Sequence, residues 1–246
     1  MKTQTPVIKV RNVHKSFGNH KVLDGFSMDL FEGENVVIMG KSGSGKSVLI
    51  KCMVALEEYD SGSIRVMNNE IKSLNREELD RLRTEIGFLF QGSALYDSMS
   101  VRQNLEFPLR RHVEKFGEVS DTTPLVMEAL ESVGLAHALN LMPDELSGGM
   151  KRRIALARTL ILKPKIILYD EPTTGLDPIT SKEIIALIQE VQQQYHTSSI
   201  IITHDVDCAR VIANRMILLI DGKNYAEGTF AELQTSDDPK IMAFFK

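Results

Sequence analysis

Three stretches of this 246-residue chain hold residue types whose spacing could do chemistry. Gly40-Lys41-Ser42-Gly43-Ser44-Gly45-Lys46-Ser47 fits Gly-x4-Gly-Lys-Ser and lies between an apolar run, Asn35 to Met39, and a helix-compatible stretch, Ser47 to Leu56. Glycines there let backbone N–H groups converge on phosphate oxygens, and the helix behind adds a positive end of about half a charge. Lys46 then reaches the terminal phosphates and the Ser47 hydroxyl ligates magnesium, so the loop suits a nucleoside triphosphate. Ile166-Ile167-Leu168-Tyr169-Asp170-Glu171 is an apolar run ending in two carboxylates, at the sheet edge where such phosphates sit. Asp170 would orient magnesium or its water. Glu171, one residue on, is suited to accept a proton from, or to align, the water attacking the γ-phosphate. Leu146-Ser147-Gly148-Gly149-Met150 opens a helix and makes a second anion cradle. One nucleotide does not need two such cradles from one lobe.

These groups need a scaffold. Runs at Ile86 to Phe90, Ile166 to Tyr169, Ser199 to Thr203 and Met216 to Ile220 have the look of strands buried on both faces, and a helical stretch, Ser181 to Gln194, separates two of them. This alternation predicts an α/β fold with a mostly parallel sheet. The first 34 residues differ: Ile8 and Val10 alternate with polar neighbours, and so do Phe26, Met28 and Leu30 after a turn expected at Asp24-Gly25, which predicts an antiparallel β part. From Gln91 to Lys163 helical periodicity takes over, with one helix started by Thr123-Pro124 and ended by Gly134 and another opened by Ser147 and stopping before Pro164. No internal repeat is visible, so the unit is expected once.

Composition narrows the function classes. Lys+Arg 29 against Asp+Glu 33 leaves a net charge of -4, so bulk electrostatics give no reason to expect nucleic acid as a partner. No apolar run approaches the roughly 18 residues that span a bilayer, and the N-terminus lacks the apolar centre of a secretion signal; the chain is expected in the cytosol. Cys52 and Cys208 form neither a disulfide ladder nor a metal-ligand pattern and read as small core hydrophobes. Lys151-Arg152-Arg153, interleaved with Ile154, Leu156 and Leu160, reads as a solvated helix face, and Arg110-Arg111 takes a similar surface reading. Met142 and Met150 read as gap-filling core residues.

With the phosphate loop, the Asp170-Glu171 pair and Leu146 to Met150 in this order, the chain resembles the ATP-binding cassette (ABC) family, whose signature is Leu-Ser-Gly-Gly-Gln; Met150 stands here in the last place. The resemblance covers nearly the whole chain. It implies a P-loop NTPase of α/β class, with an ABC ATP-binding domain over 7–240: an antiparallel β part at 7–34, a RecA-like core at 35–90 and 164–240, and a helical subdomain at 91–163. ATP and Mg2+ are the implied cofactors. The implied ATP contacts are Phe17, Gly40, Lys41, Ser42, Gly43, Ser44, Gly45, Lys46, Ser47, Val48, Gln91, Asp170 and His204, with magnesium at Ser47, Gln91 and Asp170. Glu171, His204 and Lys46 would be catalytic.

Four of these positions gain their meaning only from the resemblance. Phe17 matches an aromatic that stacks on adenine, although taken alone it could be a core phenylalanine of the N-terminal β part. Gln91 matches a glutamine that touches magnesium and water and senses a transmembrane partner. His204 matches a switch histidine on the γ-phosphate; by itself it is a polar strand cap. In Gly175-Leu176-Asp177, Asp177 matches a residue that communicates across a dimer. The family pairs two cassettes head to tail, so Ser147, Gly148, Gly149, Met150 and Asp177 would act in trans on the ATP held by the other copy of a homodimer.

Such a subunit drives transport only with a transmembrane permease. Gly92-Ser93-Ala94-Leu95-Tyr96, the methionine-ending signature and Asp177-Pro178-Ile179-Thr180 look like the cassettes of Mla-type lipid transporters, whose permeases work with MCE-domain lipid-binding proteins. That likeness implies phospholipid transport and a peripheral place on the cytoplasmic face of a bacterial inner membrane. The alternative is the ATPase subunit of an importer for a small polar solute, which shares every catalytic residue. A non-transport member acting on DNA or ribosomes is the third reading, against which stand the missing coiled-coil insertion, second cassette and basic arm. The chain ends at Lys246 soon after its last expected element, and no appended regulatory domain is expected.

Overall fold

The computed structural model describes residues 5–112 and 121–245. Positions 113–120 of the expected helical stretch, and residues 1–4 and 246, lie outside the described residues. A six-stranded sheet runs in the order β10-β9-β3-β8-β7-β6, from β3 (Asn35–Met39), β6 (Ile86–Leu89), β7 (Ile166–Asp170), β8 (Ser198–Thr203), β9 (Arg215–Ile220) and β10 (Lys223–Gly228). All neighbours in it are parallel except β10, which turns back on β9. Val36, Ile38, Leu168, Ile200 and Ile202 face one core, while Val37, Met39, Ile167, Tyr169 and Ile201 face another. Both faces are therefore covered, which is why these strands are apolar throughout.

The first core is closed by a four-stranded antiparallel sheet of order β2-β1-β4-β5 and by α1 (Lys46–Met53). β1 (Ile8–Phe17) and β2 (His20–Leu30) meet at a turn around Gly18, and their register shifts where Val13 faces Phe26 and His14 faces Asp24. The turn expected at Asp24-Gly25 is thus a bulge inside β2. β4 (Ser61–Val66) and β5 (Asn69–Glu70) come from the 35–90 stretch, yet β4 pairs with β1, so this sheet reaches beyond residues 7–34.

The second core is closed by helices: α3 (Val101–Arg111), α4 (Thr123–Glu131), α5 (Gly148–Leu160) and α6 (Pro178–Tyr195). α4 begins with Pro124 in its first turn, and α5 begins just after Ser147, whose hydroxyl accepts from the Met150 N–H at 3.2 Å. α2 (Arg76–Thr84) and α7 (Val206–Ile212) complete the crossovers, and α8 (Phe230–Gln234) and α9 (Pro239–Met242) follow β10. Cys52 and Cys208 are both buried, as expected of small apolar residues. Among the described residues no helix is long and apolar enough to cross a membrane.

Candidate active site

The loop between β3 and α1 is pinned from below. Gly45 has φ +99, and a Cβ there would stand 2.6 Å from Val22 Cγ1 and 2.9 Å from the Val22 carbonyl, so only glycine lets β2 press against the loop. At the start of α1, Lys46 is buried and folds back, its Nζ donating to the carbonyls of Gly40 at 2.8 Å and Lys41 at 3.2 Å. Burial pulls its pKa down from the ordinary lysine value, outweighing the fields of Glu171 and Asp170. The next residue, Ser47, donates its hydroxyl to Asp170 Oδ1 at 2.8 Å, while burial holds the Asp170 carboxyl above its ordinary value against that hydrogen bond.

Glu171 leaves β7 with φ +50, in the left-handed region that a residue with a Cβ seldom occupies. Three contacts hold it there. Its N–H donates to the Ile202 carbonyl at 2.9 Å, and its Oε2 accepts from the Thr174 hydroxyl at 3.0 Å and lies 2.8 Å from His204 Nδ1. A carboxylate only accepts, so Nδ1 carries the hydrogen and Nε2 is the nitrogen left for a ligand. Glu171 Oε1 stands 3.8 Å from Lys46 Nζ.

A cleft of about 750 Å³ opens over these groups, lined by Phe17, the whole of Gly40 to Val48, Gln91, Glu171 and His204. A volume of that size suits a small-molecule ligand. Phe17 is 48% exposed, which excludes the core reading, and Lys15 Nζ lies 4.5 Å from its ring centre. Asp170 sits behind the lining, reached through Ser47. His20, Val22 and Thr174 also line the cleft and had no motif of their own; their places depend on how β2 and the turn after Glu171 fold over the loop.

Ser147, Gly148, Gly149, Met150 and Asp177 are, among the described residues, absent from that lining. They form a second cluster. Asp177 caps α6 by accepting from the N–H groups of Ile179 at 3.0 Å and Thr180 at 3.1 Å and from the Thr180 hydroxyl at 2.5 Å. Those bonds hold its carboxyl below the ordinary range, the Thr180 hydroxyl first among them. The Thr180 methyl packs where a Cβ on Gly149 would be, at 2.5 Å.

The solvated reading of Lys151-Arg152-Arg153 is corrected by the same helix. Arg152 is 4% exposed and donates to the carbonyls of Phe90 at 2.7 Å and Thr174 at 3.4 Å. Arg153 reaches the Val133 carbonyl and Glu183, whereas Arg110, paired with Glu106, is a surface residue. A periodic pattern cannot distinguish a solvated guanidinium from one that satisfies backbone carbonyls under a loop.

Magnesium has a fitting donor set in Ser47 and Asp170, two hard oxygen ligands in contact. Among the described residues no three His, Cys, Asp or Glu side chains gather to hold a metal, and magnesium needs no such cage where substrate phosphates complete its shell.

Comparison with known proteins gives the family. A family model described as ABC transporter matches residues 23–174. The chain is 42% identical over 217 residues to the methionine import ATP-binding protein MetN of Clostridium tetani, covering 88% of this chain and 67% of that one. It is 37% identical over 240 residues to the intermembrane phospholipid transport system ATP-binding protein MlaF of Haemophilus influenzae, covering 98% and 90%. Among solved structures, the ATP-binding cassette MJ0796, a post-hydrolysis dimer bound to ADP and Pi, superposes with a TM-score of 0.82 at 32% identity over 91% of this chain and 98% of that one. The chain belongs to the ABC transporter family and is an ATP-binding subunit that hydrolyses ATP for transport.

Proposed function

We propose that the cleft over Gly40 to Ser47 binds ATP with magnesium, and that two copies of the chain close head to tail around two such nucleotides. The observation that carries this reading is the division of the anion-binding residues: one set lines the cleft, while Ser147 to Met150 and Asp177 stand outside it. A partner copy supplies them to the facing cleft, as the dimeric state of MJ0796 suggests. Phe17 stacks on the base, the loop N–H groups and Lys46 hold the phosphates, and Ser47, Asp170 and Gln91 hold magnesium. Bound magnesium supplies charge neutralisation for phosphoryl transfer. Glu171 aligns the attacking water or takes its proton, and His204, oriented by Glu171, presents Nε2 to the γ-phosphate.

The subunit works on a permease, from the cytoplasmic face of the membrane that holds it. Import of a small polar solute takes more support from the relatives, led by methionine importers at 36–42% identity. Mla-type phospholipid transport, with an MCE-domain partner, is the second reading. It is favoured by Gly92 to Tyr96, by Met150, and by the match to MlaF. The test is a pull-down of the tagged chain from detergent-solubilised membrane, followed by ATPase assay of the captured complex in proteoliposomes. Capture of a solute-binding protein with solute-stimulated turnover supports the importer; an MCE-domain protein with phospholipid-stimulated turnover supports the lipid reading. Capture of neither, with no membrane subunit present, overturns the permease assignment itself.

A further inference from the structure

The helix that begins at the signature also grips the loop carrying Gln91 at both ends. Arg152 Nη1 donates to the carbonyl of Phe90, the residue before Gln91, at 2.7 Å. Six residues further along α5, Arg158 donates to the carbonyls of Ala94 at 2.8 Å and Ser93 at 3.2 Å. Ser93 and Ala94 both stand in the left-handed region, at φ +60 and +50, a backbone shape that such outside contacts help to hold. Gln91 and Gly92 are thus slung between two guanidinium groups borne by one rigid element.

Arg152 does more. Its Nη2 reaches the carbonyl of Thr174 at 3.4 Å, and the hydroxyl of that threonine donates to Glu171 Oε2 at 3.0 Å. One side chain therefore joins, through two backbone carbonyls, the segment entering the Gln91 loop and the residue that orients Glu171. It does so 4% exposed, with a buried Nε that has no hydrogen-bond partner and, among the described residues, no carboxylate within ion-pair distance. Asp170 provides a favourable field, yet burial outweighs it and pulls the guanidinium below its ordinary value. A buried cation left short of partners lowers stability, and a methionine of similar length would fill the space without that cost. The return has to be geometric. A guanidinium is a planar fork that fixes two acceptors relative to each other, which an ammonium, as a point charge, does not.

We propose that Arg152 is a positioning residue for ATP hydrolysis: by tying Phe90 to Thr174 it sets the Gln91 loop and the Glu171 carboxylate in register, and so governs turnover and not ATP affinity. This rests on the reading of Glu171 given above. The test compares R152M, R152K and E171Q in the full chain, measuring kcat for ATP, the equilibrium Kd for ATP and the melting temperature of each.

In R152M, kcat is expected to fall about 10–100-fold, the scale of an ångström misplacement, with Kd within about twofold of wild type. R152K, able to satisfy one carbonyl at a time, is expected to recover part of the loss. A kcat within about twofold of wild type in R152M overturns the proposal, and so does a Kd weakened by the same factor as kcat. Should R152M fail to fold, R152K decides: a several-fold loss in kcat at unchanged Kd supports the role, and wild-type kcat overturns it. Wild-type turnover in E171Q removes Glu171 from the chemistry whatever Arg152 does, so the two failures stay distinct.

Discussion

At the scale of single residues, the chemistry proposed above rests on a glutamate held in a backbone conformation that costs about 1–2 kcal/mol for a residue with a Cβ. Glu171 keeps φ +50 because the Ile202 carbonyl, the Thr174 hydroxyl and His204 all meet it there. Glutamine has the same shape and can keep both the backbone bond and one side-chain contact, so E171Q is expected to bind ATP as wild type does while turnover drops about 10²–10⁴-fold. Equilibrium ATP binding and phosphate release measured on the same preparation check this; turnover within about twofold of wild type would remove Glu171 from the role. Lys46→Ala tests the other half of the cleft. Lys46 is held by two loop carbonyls and bears a charge that burial disfavours, which suits it to the proposed anionic ligand. The variant is expected to lose ATP binding in calorimetry, and retained affinity would contradict the assignment of the loop.

At the scale of elements, α5 and α6 meet at one tight junction. A Cβ on Gly149 would stand 2.5 Å from the Thr180 methyl, and Thr180 cannot turn away without giving up its hydroxyl bond to Asp177. Gly149→Ala is therefore expected to destabilise the chain. Overpacking costs about 1–3 kcal/mol and alanine's better helix propensity returns less than about 1 kcal/mol in a first turn. Adding Thr180→Ser deletes the offending methyl and keeps the hydroxyl, so the double variant is expected to melt close to T180S alone. If it melts as low as G149A, the junction is not where the strain lies.

What the sequence makes legible follows from the same physics. β3, β7 and β8 are buried on both faces, and their unbroken apolar runs announce it. The loop after β3 and the caps at Ser147 and Pro124 are local and read locally. β4, β5 and β10 are short or half-exposed strands with no unbroken apolar run to mark them, and β4 also takes its place from distant β1. Asp24-Gly25 carries turn chemistry that the sheet absorbs as a bulge. Arg152 stayed hidden because its partners are carbonyls 62 and 22 residues away.

At the scale of the whole molecule, the two sheets must hold one position relative to each other for Phe17 and Val22 to reach the loop after β3. Arg215, at the start of β9, is one bolt between them. Its Nε and Nη2 donate to the two oxygens of Glu34 at 2.7 and 2.9 Å, Nη2 also donates to the Asp29 carbonyl at the end of β2 at 2.7 Å, and Nη1 pairs with Glu227 on β10. Arg215 and Glu34 side chains are only 19% and 15% exposed. Removing the cation strands a largely buried carboxylate, which costs about 3–5 kcal/mol where burial is complete and less here, about 2–3 kcal/mol. Arg215→Met is expected to lower the melting temperature by about 4–12 °C, at 2–4 °C per kcal/mol for a chain of this size. Glu34→Gln in the same chain removes the stranded charge, so the double variant should melt above R215M. A double variant that melts at or below R215M would mean that Arg215 acts through its bond to the β2 end and not through the pair. ATP affinity read alongside separates the two levels. Because Val22 presses on Gly45, loosening the sheets is expected to weaken nucleotide binding in step with stability, whereas the E171Q loss at the residue scale leaves binding intact.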